Sequence, residues 1–214
     1  MLSFIQDHWS DILSRGIQHA WLAGLPLLIG LLISLPLGWL ARRAAWLRVI
    51  LVGGSSLLYT IPSLALFVLI PLVAKTKIID PTNVIIAMTI YTIALLVRTV
   101  ADALGAVSEE TTQAAIAMGY TPIRRFFGVE LPLAVPVISA GLRVAAVSNV
   151  AIVSVSALLG IRQLGFYLTD GYQINYWAEV WTGIAACLVL ALIFDVAIQL
   201  VTRVLTPWQR EVGA

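Results

Sequence analysis

The sequence predicts an all-α polytopic membrane protein with five transmembrane helices, N-terminus outside and C-terminus inside, and a helical cytoplasmic segment between helices 3 and 4. Three observations carry this. Of 214 residues, 60% are hydrophobic and 11% charged, and mean hydropathy is +0.97. A soluble domain is about 45–50% apolar and about 25% charged, so this chain lacks the polar surface to coat a water-facing globule. Uncharged stretches repeatedly reach the length of a bilayer crossing, and the basic residues divide unequally between the connections. At roughly 20 residues per crossing, the chain holds at most about seven helices. It therefore reads as a single transmembrane domain over residues 1–214, with any energy source or receptor on another chain.

Residues 1–14 carry Asp7 and Asp11 and lack the basic lead and short apolar core of a cleaved signal peptide. Span one (18–41) and span two (49–73) are the cleanest, since 16–41 and 49–74 hold no charged residue. Each is long enough to cross a hydrocarbon core of about 30 Å at about 1.5 Å per residue. Pro62 breaks span two, and the adjacent Tyr59, Thr60 and Ser63 are candidates to line a pathway. Span three (82–100) follows the turn signal Asp80-Pro81-Thr82-Asn83.

Span four (133–160) contains Arg143 and a polar stripe of Ser148, Asn149, Ser154 and Ser156. Small hydroxyls in membrane helices pack helix on helix as well as line pores, so both readings stand. Asn149 is the sharpest pathway candidate, because a buried amide needs partners. Span five (178–202) contains Asp195. Arg143 and Asp195 are costly at membrane depth unless paired, and both fall in the inner third of antiparallel helices. They are expected to pair, or each to meet a neighbour such as Asp102. The alternative is that Arg143 snorkels to the headgroups. Arg98 and Asp102, four apart, form a candidate ion pair on one helix.

With the N-terminus outside, the inner segments hold Arg42, Arg43, Arg48, Arg98, Arg124, Arg125, Arg203 and Arg210, eight in all, against Arg15, Lys75, Lys77 and Arg162 outside. That imbalance sets the orientation. Trp21, Trp39, Trp46, Trp177 and Trp208 fall near span ends, where aromatic anchors belong. An odd number of spans without internal repeat places a transport pathway between two chains. The single cysteine, Cys187, gives neither a disulfide framework nor a cysteine metal site. A net charge of +2 does not point to nucleic acid.

Residues 99–131 are long for a bare loop and have helical character. Ser108 followed by Glu109 and Glu110 reads as a helix start, Gly119 as its stop, and Thr121-Pro122 as the opening of a second short helix through Arg124 and Arg125. The product, roughly 108–128, is a helix–Gly–helix knob. It either docks into another protein or lies on the headgroups as an amphipathic helix.

Here the residues carry a resemblance. Gln113-Ala114-Ala115, three residues, Gly119, nine residues, then Val129-Glu130-Leu131-Pro132 resembles the Glu-Ala-Ala motif of ABC-importer permeases, departing at Gln113 and Val129. The 59–66 stretch, Ile70-Pro71-Leu72 and the 130–143 stretch resemble type I permeases of the osmoprotectant branch, which carry glycine betaine, choline or carnitine. Methionine-type permeases share the five-helix plan and are the nearest competitor. Where the osmoprotectant branch has a Gly-rich run after helix 4, this chain has Leu159-Gly160-Ile161-Arg162-Gln163-Leu164-Gly165.

The resemblance implies ATPase coupling through Gln113, Ala114, Ala115, Gly119, Arg124, Arg125, Leu131 and Pro132. It also implies three partners in the cell membrane of a bacterium or archaeon: ABC ATPase subunits, a second permease chain of identical or sister sequence, and an extracytoplasmic substrate-binding protein. No stretch matches Gly-x4-Gly-Lys-Ser/Thr, so this chain is expected to bind no cofactor, with ATP and Mg on the partner ATPase. An intramembrane enzyme is disfavoured because His8 and His19 lie at or before the first span and no His-Glu-x-x-His occurs. A secondary transporter working alone is disfavoured by the missing repeats and by the knob.

Overall fold

Each predicted apolar stretch forms helix in a computed structural model that describes residues 2–210. The side chain of Arg210, one of the eight inner cations, lies outside what is described. In chain order the helices are α1 (Leu2–Asp7), α2 (Trp9–Ala41), α3 (Ala45–Tyr59), α4 (Ser63–Ala74), α5 (Pro81–Gly105), α6 (Glu109–Ala117), α7 (Pro122–Arg125), α8 (Leu131–Val155), α9 (Phe166–Gln173) and α10 (Trp177–Leu205). A π turn, Phe126–Glu130, joins α7 to α8, and 3-10 turns cover Ser156–Leu159 and Pro207–Arg210. Among the described residues four helical stretches are long and apolar enough to cross a membrane: α2, α5, α10 and the continuous stretch Pro122–Leu159. The pair α3 and α4, bent by 104°, makes a fifth if it is one broken span.

Span two is therefore not the straight helix that an uncharged run of 49–73 suggests. Pro62 has no N–H, and its ring disfavours helical backbone at Ile61. The chain turns there, with Thr60 and Ile61 N–H returning to the carbonyls of Leu57 and Leu58. The Tyr91 hydroxyl donates to the freed Ile61 carbonyl, which fixes the break beside the middle of α5. At one end Val52 of α3 packs with Ala41 and Ala101. At the other, Phe67 and Ile70 of α4 pack with Val84, Ala87 and Met88. The pair thus follows α5 in the opposite sense, bent at Pro62.

The helix α5 is the axis against which α2, α3, α4 and α8 pack. Gly30, Ser34 and Gly38 of α2, four residues apart, make the α2–α5 seam. A Cβ at Gly30 would lie 2.4 Å from Thr92 Cγ2, and one at Gly38 2.5 Å from Val100 Cγ1. Small residues at this spacing let membrane helices approach closely without an aqueous hydrophobic effect to drive them. On the other side Gly141 of α8 receives Thr99 in the same way. Asn149 ties three helices, its Nδ2 donating to the Ala23 carbonyl at 3.2 Å and to Thr92 Oγ1 at 3.0 Å.

Beyond α8, the Arg162-Gln163 departure acquires a structural reason. Gln163 is fully buried. Its Nε2 donates to the carbonyls of Val153 and Ser154, both at 3.1 Å, at the end of α8 where the Ser156 N–H also turns back to them. Its Oε1 accepts from the Gly165 N–H. Arg162 stays exposed. A Cβ at Gly165 would sit 2.2 Å from the Ser154 carbonyl oxygen, a backbone atom that cannot swing aside. Gly165→Ala is expected to destabilise the protein by about 1–3 kcal/mol or more, the scale of overpacking, read as a lowered Tm in detergent.

At the same end of the bundle, Asp11 Oδ2 accepts from Arg15 Nε and from the Tyr167 hydroxyl, both at 2.7 Å. The Arg15 guanidinium lies 4.1 Å from the centroid of the Phe166 ring. Burial, with Asp11 beside it, pushes the Tyr167 phenol above its ordinary pKa, in keeping with its role as donor to Asp11.

Candidate functional site

The knob is built from local signals. Ser108 Oγ accepts from the Thr111 N–H at 3.2 Å, and Glu109 and Glu110 occupy the first turn of α6, where carboxylates suit the positive end of the helix dipole. Gly119, at φ +81°, ends α6 in the left-handed conformation that glycine adopts without strain. Pro122 is the first residue of α7, a position where its missing N–H costs nothing. From there the helix does not stop. The Leu131 N–H reaches back to the Phe126 carbonyl, a wide turn that accommodates Pro132, whose ring would crowd the Gly128 carbonyl in a regular helix. The helix that contains the predicted fourth span therefore begins at Pro122, and the knob's second helix is the tip of that helix.

This continuity changes what the motif residues can do. Gln113, Ala114 and Gly119 are exposed on the knob, while Ala115 is buried against it. Gln113 Nε2 donates to Glu109 Oε1 at 3.0 Å, so a carboxylate stands one helical turn before the position where the motif has its Glu. Arg124 is exposed, with its guanidinium 4.9 Å from the Tyr120 ring centroid. Arg125, which the resemblance places in ATPase coupling, is turned inward and donates Nε to Glu130 Oε1 at 2.7 Å. Leu131 and Pro132 are half-buried at the base of the span, with Leu131 packed on the cluster of Val100, Ala134 and Ile138.

Glu130 is the residue that sequence reasoning missed. It is 2% exposed and also accepts from Arg42 Nη1 at 3.1 Å. The available signal was a lone acid directly before an apolar span, between two arginine-bearing segments.

The second region lies at the α3–α4 break. Tyr59 is 43% exposed and meets Tyr91 edge to face at 5.8 Å. Thr60 is exposed and Ser63 half-buried beside it. On α8, Ser148 and Ser154 are half-buried, and Ser154 Oγ donates to the Ala151 carbonyl of its own helix at 2.6 Å. Asn149, expected as the sharpest pathway residue, is instead enclosed at 2% exposure and spends its amide on helix packing. Among the described residues no hydrogen bond joins the break to the α8 serines.

Of the charges at depth, Arg143 Nε and Nη2 donate to Asp195 Oδ1 and Oδ2 at 2.5 and 3.0 Å. Asp102 takes no bond from Arg98. It accepts instead from Arg48 Nη2 of α3 at 2.6 Å. Among the described residues no group of three His, Cys, Asp or Glu side chains is placed to hold a metal ion.

Four apolar helical stretches long enough to cross a membrane, a helix pair bent by 104° and an exposed helical knob continuous with one of those stretches are the architecture of a membrane component. The chain matches the family described as "Binding-protein-dependent transport system inner membrane component" over residues 27–211 and belongs to that family. It is accordingly a multi-pass protein of the cell membrane and a permease component of a transport system. It is 31% identical over 208 residues to the osmoprotectant import permease protein OsmW of Salmonella typhimurium, covering 96% of this chain and 97% of that one. It is 26% identical over 208 residues to the choline transport system permease protein OpuBB of Bacillus subtilis, covering 97% and 94%. Among solved structures, the MetNI methionine ABC transporter in an inward-facing conformation matches with a TM-score of 0.82 at 20% identity, covering 94% of this chain and 98% of that one. At that identity the likeness is one of fold.

Proposed function

We propose that this chain, over residues 1–214, is the permease subunit of an ATP-driven importer for osmoprotectants such as glycine betaine, choline or carnitine. The observation that carries the reading is the likeness to OsmW along 97% of that protein's length, in a chain whose exposed knob has the spacing of the ATPase-docking motif. The N-terminus is outside and the C-terminus inside. Supporting this orientation, Arg42, Arg48 and Arg125 converge at one end of the bundle through their contacts with Glu130 and Asp102.

In this reading α6 and the α7 tip, roughly 108–128, dock into an ABC ATPase that binds ATP and Mg and supplies the energy of hydrolysis. Within this chain, the continuous helix from Pro122 carries displacement of the knob into the membrane as a rigid rod, because helical backbone does not compress. A second permease chain, identical or sister, covers the exposed stripe of α8 formed by Leu133, Val137, Ala140, Val144, Val147 and Ala151, and the passage runs between the two. Tyr59, with Thr60 and Ser63 at the break, meets the cargo there. A quaternary ammonium is attracted to the face of an aromatic ring. An extracytoplasmic substrate-binding protein delivers the cargo.

The test is purification with the cognate ATPase, followed by uptake in proteoliposomes loaded with ATP and supplied with the receptor. Glycine betaine, choline or carnitine is expected to enter, and entry to cease when the nucleotide site of the ATPase is disabled. Uptake that survives overturns the ATP-driven reading. A receptor that binds methionine and no quaternary amine overturns the substrate class.

A further inference from the structure

Glu130 lies where three parts of the molecule converge: the end of α2, the tip helix α7 and the base of α8. Its two carboxylate oxygens take different arginines, Oε1 from Arg125 of α7 and Oε2 from Arg42 at the end of α2. The carboxylate is 2% exposed, and the arginines 21% and 25%. The same junction is closed by rings, with Phe126 of the π turn 5.5 Å from Trp39 of α2, and the Arg43 guanidinium 3.8 Å from the Trp39 centroid. Removing Glu130 leaves both arginines without their counter-charge, and removing either arginine leaves one oxygen of a buried carboxylate unpaired.

The connectivity gives the junction a direction. The rod from Pro122 into α8 already follows the knob, because it is one helix. By contrast, α2 is distant in sequence and reaches the knob here, through Arg42 and Trp39. Through Gly30, Ser34 and Gly38 it in turn grips α5 along its length. The start of α3 is held to α5 by the Arg48–Asp102 pair, whose two side chains are each about half exposed.

We propose that Glu130 is a positioning residue of import: by clamping Arg42 to Arg125 it makes α2 move with the knob, so that ATPase closure shifts α2 and α8 together. The inference rests on the ATP-driven reading above and adds to it the element that carries the motion into the second half of the bundle.

The test uses the full transporter in proteoliposomes and reads molecules imported per ATP hydrolysed. Glu130→Gln keeps the shape and removes the charge; Arg42→Gln opens the clamp from the other side. Each is expected to lower the ratio by about tenfold, within the range of a typical coupling between two sites. The double variant is expected to fall no further, because both act through one contact. ATPase co-purification and basal hydrolysis are expected to be unchanged, which a merely structural role would not give. A ratio within about twofold of wild type, losses that multiply in the double variant, or loss of the ATPase from both purified single variants would each overturn the proposal. If Glu130→Gln does not accumulate, Arg42→Gln alone decides by the same ratio. A wild-type protein that imports without ATP overturns the ATP-driven reading and this proposal with it, whereas ATP-driven wild type with unaffected variants overturns this proposal alone.

Discussion

Gly119→Val lowers ATP-driven uptake by about tenfold, whereas Gly119→Asn holds it within about twofold of wild type; proteoliposome uptake at equal ATPase occupancy reads both. Gly119 sits at φ +81°, and a Cβ there would meet no atom within 4 Å, so the substitution acts through the backbone and not through a clash. An L-residue in the left-handed region costs roughly 1–2 kcal/mol, and a β-branched one is a genuine outlier there, while Asn visits it readily. At about 1.4 kcal/mol per factor of ten, Val populates a different backbone in most molecules. The joint between α6 and the rod then opens at another angle, and α6 no longer presents Gln113 and Ala114 in register with a groove. The spans are untouched, so the Tm of the purified chain should not move. A Val variant that transports at the wild-type rate would show that the angle of α6 is not used in coupling.

What the sequence made legible follows physical range. The apolar runs of spans one, three and five needed only length and transfer energy, and each forms a helix. The knob's start and stop needed only neighbours in sequence, Ser108 with Thr111 and Gly119 alone. Other features depended on distant partners. Arg124 and Arg125 look equivalent as a pair, but consecutive residues are about 100° apart around a helix, so one faces out and the other meets Glu130. Asp102 has Arg98 one turn away, yet α3 enters the bundle beside it and delivers Arg48. Asn149 was read by polarity, and the choice between packing and pathway turned on Thr92 and Ala23. Pro62 points to a break in span two, while the 104° bend also has the Tyr91 hydroxyl donating to the Ile61 carbonyl from 30 residues away. Gln163 departs from the Gly-rich run of the branch, and its amide is occupied by the end of α8.

Asp195→Leu and Arg143→Leu, made singly, are each expected to reduce accumulation of the protein in the membrane several-fold, and the double Leu variant to recover most of it. Two charges sit at depth on α8 and α10, and their bidentate contact is the arrangement in which each is the other's solvation. Gln199 Nε2 donates to Asp195 Oδ2 at 2.6 Å, so the carboxylate is held for the guanidinium and does not wander. Removing one partner leaves the other charge without its counter-ion at a helix–helix contact in an apolar span. Removing both leaves two leucines on faces that already pack apolar residues, since Leu142 and Phe194, the neighbours of the pair, belong to one cluster. Exchange of the residues, Arg143→Asp with Asp195→Arg, separates charge from position. If the pair serves packing alone, the exchanged protein accumulates and transports. If it accumulates but does not transport, the guanidinium is needed on α8, whose exposed stripe it borders. Double variants that fail as badly as the singles would remove the pair as the reason for either charge.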